Sequence, residues 1–297
     1  MISIRTRFRT KKEGREKSES TLHATFMRLC RNPTAVFGGI VFIILALLVI
    51  LAPWLTPYDY AAYDTKNLFQ PPSPAHWCGT DQFGRDILTR LLYGGRYSMS
   101  MGFIAVGFAA IGGVSLGSIC GYIGGRLDDI VMRFLDIFQA IPGILLTICM
   151  AAALGNGFDK VIIALSLTRI PSIARLMRGS VMKIRGMEYL EAAEAIGCSK
   201  ARRIIKYVIP NSMAPVIVEV TMGIASTVLQ LATLSYIGLG VQPPTPEWGA
   251  MLSDAKRYIL IKPYMIMFPG IFIALTVLSL NFLGDGLRDA LDPKLKD

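Results

Sequence analysis

The chain has 297 residues, 53% hydrophobic and only 18% charged, with a net charge of +10, whereas soluble domains carry about one quarter charged residues. Charge is concentrated in a few stretches and leaves long runs bare, so the apolar content belongs to membrane spans and a soluble core is excluded. The basic residues flank those runs without aromatic interleaving, which suits span orientation and contact with anionic lipid and argues against a nucleic-acid surface.

Residues 1–34 read as a basic cytoplasmic tail. Asn32-Pro33 suits a helix start, with Asn as cap and Pro in the first turn. The first span is predicted over Val36–Leu51, ended by Ala52-Pro53-Trp54. Its long lead, and Pro-Trp where a small-residue cleavage site would stand, make it an uncleaved anchor rather than a signal peptide. A polar, Pro-rich external loop, 56–97, follows. Further spans are predicted at Ser98–Tyr122, Arg133–Leu154, Phe158–Leu176, Ser212–Leu239 and Pro263–Leu283, which meet the roughly 20 residues that a hydrocarbon core of about 30 Å requires, Ser212–Leu239 exceeding it. Arg169 and Pro171 interrupt the fourth of the six. The expected fold is therefore all-α, a polytopic bundle of about six transmembrane helices. With the N-terminus inside, twenty-two Lys and Arg fall on that side and eight on the other, which places both termini in the cytoplasm.

Gly113, Gly117, Gly121 and Gly125 recur every four residues and so share a helix face. In lipid such a stripe lets two backbones approach closely. Static packing within the chain and a sliding contact at a subunit interface both use that property.

The cytoplasmic loop 178–211 is patterned. Glu188 to Ile196 reads as a short helix with acidic residues in its first turn, and Gly197 as its stop. Ser199 is positioned to cap a second helix, Lys200–Ile209, carrying the apolar pairs Ile204/Val208 and Ile205/Ile209; Pro210 is expected to end it. Apolar strips on two short helices imply an elbow that docks, either on the base of its own bundle or on a partner protein.

Several chemistries are excluded by what is missing. Only two histidines exist, His23 and His76, so an H-E-x-x-H metal centre is impossible; no phosphate-cradling G-x-x-x-x-G-K-[ST] run occurs, and no G-x-S-x-G elbow. Five scattered cysteines without a C-x-x-C pair argue against a disulfide framework. No catalytic residue, metal ligand or cofactor is expected, and energy for any work must come from a gradient or another subunit. Glu219, in an apolar run, suits either a substrate or proton site or a turn at the membrane interface. Asp129, Arg133 and Asp136 have the spacing of local helix pairs. His76 beside Trp77 lacks a second metal ligand nearby.

Glu191-Ala192-Ala193, three residues, Gly197, nine residues and Tyr207-Val208-Ile209-Pro210 resemble the EAA loop of ABC importer permeases, with Tyr207 and Ile209 departing from the usual Ile and Leu. Gly79-Thr-Asp-Gln-Phe-Gly-Arg-Asp86, Gln242-Pro-Pro-Thr-Pro-Glu-Trp-Gly249 and Gly284 to Lys294 are similar to segments of dipeptide, oligopeptide and nickel permeases, most of all the second or C-type subunit. The resemblance covers about residues 30–297. It implies a type I ABC importer permease bundle over 35–297 in a bacterial inner membrane, without an ATP site of its own. It also implies a heterodimer with a homologous permease, two cytoplasmic ATPase subunits and an external solute-binding protein facing 56–97. Glu191, Ala192, Ala193, Gly197 and Pro210 become ATPase-coupling residues, and di- or oligopeptides the cargo, with nickel, a nickel chelate or glutathione as alternatives. A secondary transporter or channel would instead show repeated halves or paired intramembrane carboxylates, and neither is evident.

Overall fold

A computed structural model describes residue 23 and residues 25–291. Among these residues the regular structure is helical, apart from one isolated bridge between Thr80 and Asp86.

Helix α1 spans Pro33–Ile50, and the Asn32 side chain accepts from the Thr34 and Ala35 amides as the sequence predicts. One side packs on the last helix. A β-carbon on Gly38 would lie 2.7 Å from the Ser279 carbonyl oxygen, and one on Gly286 would lie 2.2 Å from Ala35 Cβ. The other side exposes Phe37, Ile40, Ile44, Leu47 and Ile50, a surface that calls for lipid rather than water. After the short α2 (Ala52–Leu55), residues 56–86 fold into a cap of turns. Helix α3, Ile87–Ile123, starts where Asp86 accepts from the Thr89 amide. Its 37 residues rise about 55 Å, so the expected span Ser98–Tyr122 is its far part and its first turns belong to the cap.

The expected span Arg133–Leu154 is not one helix. Helix α4 (Gly125–Gln139) and helix α5 (Gly143–Leu154) meet at an 88° bend. Pro142 has no amide proton, and it disfavours helical backbone at Ile141 before it. Nor does Arg133 pair locally: Asp136 reaches Arg175, and Asp128 binds Arg178 through Nε and Nη2, both at 2.6 Å, both arginines lying beyond α5 in the helix Phe158–Ile184. Helix α6, Phe158–Ile184, runs past the expected end at Leu176 and carries Pro171 without a break.

Then come α7 (Glu188–Ala195), α8 (Lys200–Arg203), a π-helical turn (Ile204–Val208) and α9 (Ile209–Tyr236). Pro210 does not end a helix; residues Lys200–Tyr236 form one continuous rod of 37 residues. The π turn shifts the bonding to i→i−5, as in Ile209 N–H to the Ile204 carbonyl. That widened turn receives the proline ring without the usual clash. Helix α10 (Trp248–Ala255) and a 3₁₀ turn (Lys256–Tyr258) lead to α11, Tyr264–Leu291.

Among the described residues four helices are long and apolar enough to cross a membrane, α1, α3, the rod and α11; the bent α4–α5 pair makes a fifth if it counts as one span. Helix α6 has the length, but Arg169, Arg175, Arg178 and Lys183 dilute its apolar character. Helix α3 is the central post. It joins α1, α9, α10 and α11 in one core around Val49, Leu91, Met99 and Trp248; α5, α6 and α9 in a second around Ala105, Leu165 and Leu231; and α6, α7 and α9 in a third around Ala109, Met177, Leu190 and Val208.

Candidate functional site

The elbow is built from local signals. Gly197 adopts φ +77°, and Cys198 N–H reaches the Ala193 carbonyl at 3.0 Å, a Schellman-type ending that closes α7. Ser199 Oγ then accepts from the Arg202 amide and starts the rod. Leu190 and Ala193 of α7, with Ile204 and Val208 of the π turn, are buried against the bundle. The elbow therefore docks on its own base with one face. The opposite face exposes Met187, Tyr189, Glu191, Ala192 and Ile196, the last at 82%. So of the predicted coupling residues Glu191, Ala192, Gly197 and Pro210 are exposed, while Ala193 is inside. Arg203 bonds to Glu194 and draws its carboxyl below the ordinary range.

The glycine stripe faces α6 of the same chain. A β-carbon on Gly113 would lie 2.6 Å from Ile173 Cβ, on Gly117 2.3 Å from the Ala174 carbonyl oxygen, and on Gly121 2.9 Å from that of Arg178. Gly125 does not belong to it. It lies beyond the break at Gly124, with φ +65° and nothing within 4 Å of its would-be β-carbon.

Beside the elbow a cleft of about 630 Å³ opens between α6, α9 and α11, lined by Ser180, Lys183, Asn211, Glu219 and Arg288. A second of about 610 Å³, reaching Gln139, Ser172 and Arg175, shares Ser180, Lys183, Pro215 and Glu219 with it. Together they make a trough with mostly apolar walls that carries a few polar and charged groups, able to hold water and a polar solute. Glu219 thus meets open space. One turn further along α9, Arg169 of α6 bonds to Ser226 and lies against Gly223.

At the opposite end the cap is tied together by hydrogen bonds and ion pairs. His76 is buried and its Nδ1 lies 2.9 Å from Asp86, so it holds the α3 cap, and the described residues contain no cluster fit for a metal. Asp81 accepts from Arg85 Nε at 2.6 Å, and Arg85 and Arg90 both reach Asp254 of α10. Burial pushes the Asp254 carboxyl up despite those cations. Glu247, fully buried, accepts from Ser98 Oγ and the Ala250 amide, both at 2.9 Å, while Trp248 Nε1 donates to the Leu91 carbonyl. The Ser98–Glu247 and Leu91–Trp248 pairs are not visible in spacing, because their partners are 149 and 157 residues apart; the capping of Ala250 by Glu247 and the Asp81–Arg85 pair at helix spacing are local. Burial, then Asp86, raises the Cys78 thiol to about 11. At pH 8 its alkylation is expected to run at least about a hundredfold slower than that of a free thiol with pKa about 8.5; mass spectrometry of the Cys78 peptide measures this, and rapid labelling would refute the buried setting.

Residues 113–297 match the family described as the binding-protein-dependent transport system inner membrane component, and residues 20–72 match the N-terminal TM domain of oligopeptide transport permease C. The chain is 44% identical to the dipeptide transport system permease protein DppC of Alkalihalophilus pseudofirmus, over 96% of this chain and 93% of that one. It is 41% identical to the glutathione transport system permease protein GsiD of Pectobacterium atrosepticum, over 95% and 94%. Inward-facing structures of the MetNI methionine ABC transporter share the fold, with a TM-score of 0.55 at 19% identity over 68% of this chain and 96% of that one.

Proposed function

The chain belongs to the family of binding-protein-dependent transport system inner membrane components, and from that premise we propose that it is one half of the pathway of an ATP-driven importer of di- and oligopeptides. The two relatives named for dipeptide and glutathione transport support cargo of this class, glutathione being a short peptide itself; nickel and its chelates are the alternative cargo. A second, homologous permease supplies the other half, two ATPase subunits sit on the elbow side, and a solute-binding protein meets the cap. The charge asymmetry of the loops supports termini on the elbow side, in the cytoplasm.

The observation that carries this reading is the two-faced elbow. One face of α7 is fixed to the bundle by Leu190 and Ala193, and the other offers Met187, Glu191, Ala192 and Ile196 to solvent. This chain has no phosphate loop of its own, so that exposed face is where an ATPase would push. The rod that starts three residues after Gly197 carries Asn211, Pro215 and Glu219 into the trough, so a push on α7 would be felt along the trough wall. Glu191→Arg combined with Gly197→Pro should leave the protein inserted and the ATPases active while peptide uptake falls at least about tenfold. Arg at 191 alters the docking face, and Pro at 197 cannot adopt φ +77°. Unchanged uptake in reconstituted vesicles would remove the coupling role. Flux through the chain alone, driven by a proton or sodium gradient, would overturn the importer reading altogether.

A further inference from the structure

At Gly197 a β-carbon would touch nothing within 4 Å, so side-chain packing at the turn itself does not set the angle between α7 and the rod. An ion pair crosses that turn instead. Arg203 Nη1 donates to Glu194 Oε2 at 2.5 Å, with the Glu194 side chain 66% exposed and that of Arg203 only 5%. Behind it the guanidinium carbon lies 5.7 Å from the centre of the Tyr122 ring, and Arg203 Nε is buried without an acceptor. Among the described residues Glu194 is therefore the one carboxylate that compensates this buried cation.

The pair differs from an ordinary surface salt bridge, which contributes little. With the Arg203 side chain only 5% exposed, loss of Glu194 leaves a largely covered charge without its partner. Its anchor also lies on the most extensive helix–helix contact among the described residues, α3 against α6. Tyr122 is in the last turn of α3, next to Gly121, whose backbone is in close contact with Arg178 and Val181 of α6.

We infer that the Glu194–Arg203 pair, backed by Tyr122, is a positioning clamp that fixes α7 to the rod, so that a push on α7 displaces the trough wall instead of folding the Gly197 turn. This rests on the proposed docking of an ATPase on α7. Glu194 and Arg203 touch neither cargo nor nucleotide in this scheme; they act through the elbow.

The test uses the complete complex of both permeases, ATPases and binding protein in lipid vesicles, with peptide uptake and ATP hydrolysis measured together. Glu194→Gln should lower uptake per ATP about three- to tenfold while hydrolysis persists. Arg203→Gln should do the same, and the double variant should be no worse than either single one, the mark of two residues acting as a unit. Glu194 is on the surface, so its variant tests the clamp even where the buried Arg203 variant does not assemble. Wild-type uptake per ATP in Glu194→Gln overturns the clamp, as does an equal fall in uptake and hydrolysis, which would mark lost docking or folding. Glu191→Arg, on the exposed face, separates the two ideas. If it disturbs uptake and Glu194→Gln does not, the clamp alone is wrong; if neither does, the docking reading falls with it.

Discussion

Replacing Gly117 by leucine is expected to prevent accumulation of folded protein. The new β-carbon would meet the Ala174 carbonyl oxygen at 2.3 Å, Met177 Cβ at 2.8 Å and the Arg178 amide at 3.0 Å. Two of these are backbone atoms of α6, which cannot rotate away, so the helices must separate. Separation also loosens Gly113 against Ile173 and Gly121 against Val181, and it draws Arg178 from Asp128. Overpacking of flexible cores costs about 1–3 kcal/mol, and a rigid backbone wall puts this site at about 3 kcal/mol or more. Gly107→Ala is the matched control: it is in the same helix, has nothing within 4 Å of its would-be β-carbon, and gains helix propensity of about 1 kcal/mol. Yield and monodispersity after detergent extraction measure both; comparable behaviour of the two variants would show that α3 and α6 are not in contact through the stripe.

Trp248→Ala should cost about 3–5 kcal/mol, the usual range for truncating a buried aromatic. Trp248 is fully buried, and Gly94 and Gly95 of α3 form its seat: a β-carbon on Gly95 would lie 2.9 Å from the indole. Phe272 of α11 closes the other side, with ring centres 6.0 Å apart. Removing the indole leaves a cavity among three helices and strands the Leu91 carbonyl that Nε1 had satisfied. A fall in melting temperature of roughly 8–15 °C is expected for a chain of this size, read by thermal shift of the purified protein. A shift below a few degrees would show that α10 is not held to α3 by this residue. Trp248→Phe keeps most of the packing and loses the hydrogen bond, so it should fall between the two.

The elements whose causes are local are legible in the sequence. Asn32 caps α1, Ser199 caps the rod and Gly197 ends α7, because each depends on residues within one turn. The same locality explains the errors. Pro210 carries a strong stop signal, yet a π turn immediately ahead of it removes the clash that the signal reports. Asp136 and Arg133 stand at helix spacing, but Arg175 of α6 offers Asp136 a partner on the facing helix. Gly125 keeps the four-residue period of the stripe, and a change of helix at Gly124 takes it off the face.

The sequence by itself determined that this is a helical membrane protein resembling the importer permeases, which apolar stretches form its long helices though not where those helices start, and which short segment forms the elbow. The spans and the elbow rest on apolar length, flanking charge and caps, all properties of neighbouring residues, and the permease kind rests on the resemblance of the motifs to that family. Only the tertiary structure decided that α4 and α5 meet at a right angle, that the rod runs unbroken through Pro210, that α7 keeps one face free, and that Glu194 holds Arg203 under Tyr122. These depend on which surfaces meet across tens to more than a hundred residues, and steric fit and charge compensation between distant helices leave no period in the chain to read.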